Sequence, residues 1–220
     1  GGVSKPGRGV PLMSDYLSDE EQSEQLKKWW DENWKSLVGG LLLAIASVAG
    51  WNQYEAYTFE RSESAATAYQ SYTNARVAGQ PVDDLLAEID EEHDKTSYQI
   101  FSLLYRAKDS VSESDWLAAL GYLDTAISLT NDPRLLDLIR LRKARIQFQL
   151  ESFDESLATL GRIKGVGFKV GVSELSGDIH RARDENARAA EAYRAGIASA
   201  NDSTPTVMLK LKLSSLGIDP

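Results

Sequence analysis

The chain has 220 residues, 42% of them hydrophobic and 26% charged, enough apolar material for a folded core and too much for wholesale disorder. Its 24 basic residues stand against 33 acidic ones, and the net charge of -9 argues against a surface built to track the phosphates of a nucleic acid. There is no cysteine, which removes disulfide frameworks, thiolate metal sites, iron–sulfur clusters and cysteine nucleophiles together; an oxidising compartment is permitted without being required.

In chain order, residues 1–12 form a Gly/Pro-rich stretch that reads as a cloning remnant ahead of Met13 and is set aside from the fold. Residues 13–35 carry seven acids and three lysines (Lys27, Lys28, Lys35) and are expected to form a polar tail. Ser18 followed by Glu21 has capping-box spacing, which predicts a short helix beginning there and passing through Leu26 and Trp30. Residues 36–54 then run without a charge. As a helix, about 19 such residues rise roughly 28 Å, close to the hydrocarbon thickness of a bilayer. Trp34, Leu37, Leu41, Leu42, Leu43, Ile45, Val48, Trp51 and Tyr54 are the expected anchor residues of this single transmembrane helix. Trp29, Trp30, Trp34 and Trp51 gather beside its ends as an interfacial aromatic belt requires.

Three lysines precede the span, and only Arg61 follows within about 20 residues, so the amino end is expected in the cytoplasm and the carboxyl-terminal bulk in the periplasm of a bacterium. Two alternatives stand beside this one. The apolar run is also compatible with a buried helix of a globular protein. It also contains Ala44-Ile45-Ala46, which has the small-x-small form of a signal-peptide cleavage site, although the segment ahead of it is long and acidic for a signal.

Of the charged residues, 5 bases and 7 acids precede residue 55, which leaves 19 and 26 in residues 55–220, an acidic part with a net charge of -7. Ala65, Ala68, Tyr69, Tyr72 and Ala75 keep helical spacing up to Gly79-Gln80-Pro81, so a long helix is expected to leave the membrane and end near Ala78. A shorter helix should run from Val82 to about Glu92, with Asp83 and Asp84 in its first turn. Beyond His93 the chain resembles itself. Ala107, Ala119, Leu123 and Ala126 correspond to Ala144, Ser156, Leu160 and Ile163, and then to Gly177, Ala189, Tyr193 and Gly196, at offsets of 37 and 33 residues. Tetratricopeptide repeats have a period of about 34 residues, with small residues where two antiparallel helices approach. The expected fold is therefore all-α, a single transmembrane helix followed by a tetratricopeptide-like α-solenoid over residues 55–220. A plain helical bundle is the alternative. Asn131-Asp132-Pro133 and Gly165-Val166-Gly167 mark the joints between helical pairs, and a last short helix is expected over 207–213.

A search for chemistry returns little. His93 and His180 begin no metal-binding spacing, and Glu91-Glu92-His93-Asp94 reads as a solvated helix end, with weak cation binding as the alternative. Gly161 to Gly167 lacks the Gly-Lys-Ser/Thr ending of a phosphate loop. No carboxylate pair is singled out as acid and base, so neither an enzyme nor a cofactor is expected. Arg140 with Lys143, and Arg142 with Arg145, form two i, i+3 pairs around one helix, read as a solvated face, with a site for an anion or an acidic peptide as the alternative. What remains is a surface. The first helix of each repeat lines the inner face of a stacked array, which nominates Phe101, Leu104 and Lys108, then Leu138, Leu141, Arg145 and Phe148, then Arg181 as partner-binding residues, with core packing as the rival role for each apolar one.

With Trp29-Trp30-Asp31-Glu32-Asn33-Trp34 before the span, Ala65-Ala66 and Tyr69 after it, Leu141-Arg142-Lys143-Ala144-Arg145, Gly177-Asp178 and the tail Leu209-Lys210-Leu211-Lys212-Leu213, the chain resembles the YfgM family from Met13 to Gly217. Members are ancillary subunits of the bacterial SecYEG translocon. The resemblance implies an inner-membrane protein whose periplasmic tetratricopeptide-like domain associates with the translocon, with the parvulin-like chaperone PpiD and with exported client proteins. One departure is visible. Such repeats usually carry a Gly at the turn inside each pair, where this chain has Ser114, Glu151 and Asp184, which leaves open a turn of another shape. The expected function is that of a membrane-anchored adaptor; an envelope scaffold acting through repeat-mediated dimerisation is the alternative, and a hydrolase using scattered carboxylates is a remote third.

Overall fold

The computed structural model of the chain describes residues 19–201 and 203–217. The remnant read in residues 1–12 and the capping residue Ser18 lie outside them. The described residues are helical, without strands, and fall into two compact units, one reaching Phe59 and one beginning at Glu60.

The short amino-terminal helix, the span and the helix after it are one element: α1 runs unbroken over Asp19–Val77. Nothing in that stretch stops a helix, since it holds no proline and its three glycines, the pair Gly39-Gly40 and Gly50, stand in a long apolar run rich in leucine and alanine. Within the first unit the apolar run is exposed along its whole length; Leu43 is 71% and Trp51 69% exposed. It is long and apolar enough to cross a membrane, and none of it is buried by protein, which separates it from the core helix of a globular fold. Within the run Ser47 Oγ donates to the Leu43 carbonyl at 2.7 Å, the partner a hydroxyl needs in an apolar surrounding, and ahead of it Asn33 Nδ2 donates to the Trp29 carbonyl at 2.8 Å.

The second unit opens with the last turns of α1, where Ala65, Ala68, Tyr72 and Ala75 are buried at the predicted spacing. There follow α2 (Asp83–Glu92), α3 (Ser97–Ser112), α4 (Trp116–Leu129), α5 (Pro133–Gln149), α6 (Phe153–Leu160), a single 3-10 turn (Val166–Phe168), α7 (Lys169–Ala182), α8 (Asn186–Ser199) and α9 (Val207–Ser214). The pairs α3/α4, α5/α6 and α7/α8 are the three repeats, each packed hairpin-fashion. Eleven of the twelve aligned repeat positions are buried, the exception being Ile163, which lies half-buried against the core formed by Leu141, Ala144, Leu160, Leu175 and Ile179. Small residues at these positions bring helices together. A Cβ built on Gly177 in α7 would stand 2.3 Å from the Tyr193 ring of α8, so the ring occupies the space a side chain would need.

The three turns inside the pairs are alike. Ser114, Glu151 and Asp184 take positive φ values of 63°, 57° and 59°, the left-handed conformation that glycine adopts without strain. In each turn that residue's N–H bonds back three residues and the next N–H bonds back five, as in Asp115 to Ser110 at 2.8 Å, Ser152 to Gln147 at 2.9 Å and Glu185 to His180 at 2.8 Å. This double bond is the Schellman helix stop. The missing glycines therefore do not change the shape of the turn. At the joints between pairs, Asp132 caps α5 through the N–H groups of Arg134 and Leu135 at 2.8 and 2.9 Å, with Pro133 opening the helix. The buried Asp137 carboxylate accepts from the N–H groups of Lys164 and Gly165 at 3.1 and 2.7 Å and holds the loop after α6. α9 closes the array. Leu209 and Leu213 are buried beside Tyr193, while Lys212 Nζ reaches Glu174 and Asp178 of α7, each at 2.7 Å.

Candidate partner-binding pocket

A pocket of about 530 Å³ opens in the second unit between α3 and α5, the first helices of two successive pairs, with Tyr69 of α1 and Leu123 of α4 completing its walls. Its construction follows from helix periodicity. Phe101, Leu104, Tyr105, Lys108 and Val111 recur on one side of α3 at spacings of three and four, so they stand in line on the same face. Opposite them α5 presents Arg142, Arg145 and Ile146.

One end of the pocket is aromatic. Tyr69 touches Tyr72, Tyr98, Phe101 and Tyr105, with ring centroids 5.5 to 6.5 Å apart, in a cluster that ties the end of α1 to α3. Arg76 braces it: its guanidinium lies 4.8 Å over the Tyr105 ring, and its Nε donates to Asp109 at 3.2 Å. That bond to Asp109 raises the pKa of Arg76, so the brace stays charged. Burial, helped by the neighbouring Tyr105 and Tyr72 rings, pushes the Tyr69 phenol up to about 12, so it is neutral at any physiological pH. The rest of the lining carries three cations, Lys108, Arg142 and Arg145, and no carboxylate. Among the described residues none of the three makes an ion pair. The two basic pairs of α5 thus separate. Arg140 meets Asp137 at 3.3 Å and Lys143 meets Asp124 of α4, whereas Arg142 and Arg145 face the pocket unpaired.

Of the eight residues nominated from the repeats, Phe101, Leu104, Lys108 and Arg145 line this pocket and the other four do not. Leu141 is buried in the core between α5 and α7. Phe148 stacks on Phe153 with ring centroids 5.8 Å apart, Leu138 is half-buried on α5, and Arg181 is exposed near the end of α7. Sequence reasoning passed over Tyr69, Tyr105, Val111 and Ile146 as pocket residues, read Ala107 and Leu123 as packing positions of the repeat, and placed Arg142 in a basic cluster whose default reading was a solvated face. Tyr69 lies outside the repeats and escapes any alignment of them, but Tyr105, one residue past Leu104 on α3, was open to the same spacing argument.

Other chemistry is sparse among the described residues. Glu88, Glu92 and His93 place ligand atoms within 4.8 Å of one another at the end of α2, but both glutamates are exposed, and His93 Nε2 stands 3.9 Å from Glu88. His180 Nδ1 lies 2.6 Å from Glu185, a contact that lowers the Glu185 pKa and clasps the turn between α7 and α8.

Similarity to known proteins follows the same outline. A family described as a tetratricopeptide repeat-like domain matches residues 27–218, from ahead of the apolar run to beyond the end of α9. An ancillary SecYEG translocon subunit of Escherichia coli strain K12 is 31% identical over 208 residues, covering 94% of this chain and all of that protein. The chain belongs to the family of ancillary SecYEG translocon subunits. Proteins of that name from Haemophilus influenzae, 28% identical over 93% of this chain and the whole of its own length, and from Aggregatibacter actinomycetemcomitans, 28% identical over 83% of this chain, share the similarity. Membership in the translocon-subunit family thus takes in the anchor helix and the repeats together. No solved structure matches the chain.

Proposed function

We propose that this chain is an ancillary subunit of a SecYEG-type translocon, a non-enzymatic adaptor fixed in the bacterial inner membrane. In this reading residues 13–35 lie in the cytoplasm, residues 36–54 cross the bilayer, and residues 55–220 work in the periplasm, where the pocket between α3 and α5 engages a membrane-anchored chaperone or a newly exported client. The observation that carries the reading is the end-to-end match to two translocon subunits, whose whole lengths are covered by this chain. An exposed apolar helix of bilayer length supports the anchor, and three lysines ahead of it against one arginine behind it support the orientation. Tethering has a physical consequence. A domain held beside the exit of a channel meets emerging segments at an effective concentration far above its average in the compartment, so contacts too weak for a free protein are sufficient.

Affinity purification of the tagged full chain from mild detergent extracts is the test. Recovery of translocon subunits, together with a parvulin-like chaperone, is the expected result; recovery of neither overturns the reading, and recovery of a second copy of the chain alone points to a scaffold instead.

A further inference from the structure

Resting on the reading of this domain as an adaptor, we infer that the pocket between α3 and α5 takes a short extended segment of a partner protein in which one bulky apolar side chain stands next to carboxylates. The volume is that of a small-ligand site, suited to one anchoring side chain and its immediate neighbours. Its aromatic end supplies the seat. Phe101 remains 37% exposed although it touches Tyr69 and Tyr98, and a second flat or branched side chain laid on these rings would remove that surface from water.

Charge selects the rest. The domain is acidic, and part of its basic groups are held by its own carboxylates: Arg61, Arg76, Arg106 and Arg183 each pair with one and Lys212 with two. Lys108, Arg142 and Arg145 are not held in this way, and they gather in one pocket whose lining carries no acid. Their mutual repulsion lacks an internal counter-charge, and an acidic ligand supplies it. Gly171 of α7 contributes to the arrangement. A Cβ there would stand 3.2 Å from Leu141, tighter than an ordinary contact, and at an ordinary 3.9 Å from the Arg145 guanidinium, so the glycine lets α7 close on Leu141 with that guanidinium beside it. Arginine fits the task because its planar fork bonds a carboxylate at two points.

The test uses the full chain in detergent micelles and a fluorescein-labelled peptide carrying one phenylalanine among aspartates, read by anisotropy. Two control peptides replace the aspartates by asparagines or the phenylalanine by glycine. The expected result is saturable binding of the first peptide, at least tenfold weaker for either control, weakened by salt, and lost in Arg142→Glu with Arg145→Glu. Both arginines are exposed and unpaired, so the variant should melt as the parent does; Lys108→Gln serves as a milder second variant, with a severalfold loss. Equal binding of the acidic and asparagine peptides, or binding indifferent to all three substitutions, overturns the inference. Displacement of the peptide by anionic phospholipid mixed into the micelles, but not by zwitterionic phospholipid, assigns the pocket to lipid and overturns it too. Recovery of translocon subunits from extracts of the same double variant keeps the adaptor reading separate: the peptide result can fail while that recovery stands.

Discussion

At the scale of single residues, the closest packing in the repeats is a glycine facing an aromatic ring. Gly177 lies inside α7, where replacing glycine by alanine ordinarily stabilises a helix by about 0.5–1 kcal/mol. Here the new Cβ would fall 2.3 Å from Tyr193, a fully buried ring whose hydroxyl donates to Asp178 at 2.8 Å and so cannot swing aside cheaply. Gly177→Ala is therefore expected to destabilise the domain by about 1–3 kcal/mol, the cost of overpacking a filled core. Denaturant titration followed by circular dichroism measures it. Adding Tyr193→Leu frees the space the Cβ needs, so the two substitutions should cost less together than their sum; strict additivity would mean that the contact does not carry the effect. Burial, seconded by the bond to Asp178, raises the Tyr193 pKa, so that bond keeps its donor at neutral pH.

Among the elements, the turns decide how one helix hands over to the next. Ser114, Glu151 and Asp184 hold the left-handed conformation at about 1–2 kcal/mol of local strain each, less for aspartate, whose short polar side chain tolerates it. Glycine relieves that strain but loses about 0.5–1 kcal/mol to its freer unfolded chain. Glu151→Gly, at an exposed position without a side-chain partner among the described residues, is thus expected to raise stability by about 0.5–1 kcal/mol, with Asp184→Gly gaining less. Thermal melts of the two variants side by side check both the sign and the order. These turns also mark how far the sequence was legible. The small residues at offsets of 37 and 33 disclose the three pairs because close helix approach leaves few choices of side chain. Turn shape is not disclosed in this way, because the Schellman bonds join backbone atoms and admit any residue that can bear the strain. The pocket is legible by half for a related reason. Helix spacing finds one face of α3 and α5, but α5 packs on both sides, so Leu141 of the nominated stripe turns into the core while Arg142, one residue on, turns to the pocket.

For the whole molecule the decisive quantity is where the lysines stand, because topology follows the distribution of Lys and Arg in the short flanks of a span, whereas a long folded domain is carried across largely regardless of its charge. By this rule the acidic part after the span is not expected to set the orientation; Lys27, Lys28 and Lys35 are, against Arg61 alone. Replacing the three lysines by asparagine and introducing Glu55→Lys, Glu60→Lys and Glu63→Lys shifts the excess to the other side of the same apolar run. All three glutamates are exposed on α1, so the helix and the repeats should survive the change. Protease added outside spheroplasts is expected to digest the repeat domain of the parent chain and to spare that of the charge-swapped one, with both chains still held in the membrane after alkaline carbonate. Protection of the parent would place the pocket on the cytoplasmic side, where it cannot meet an exported segment, and release of the parent by carbonate would remove the anchor from which the adaptor reading gains its local concentration.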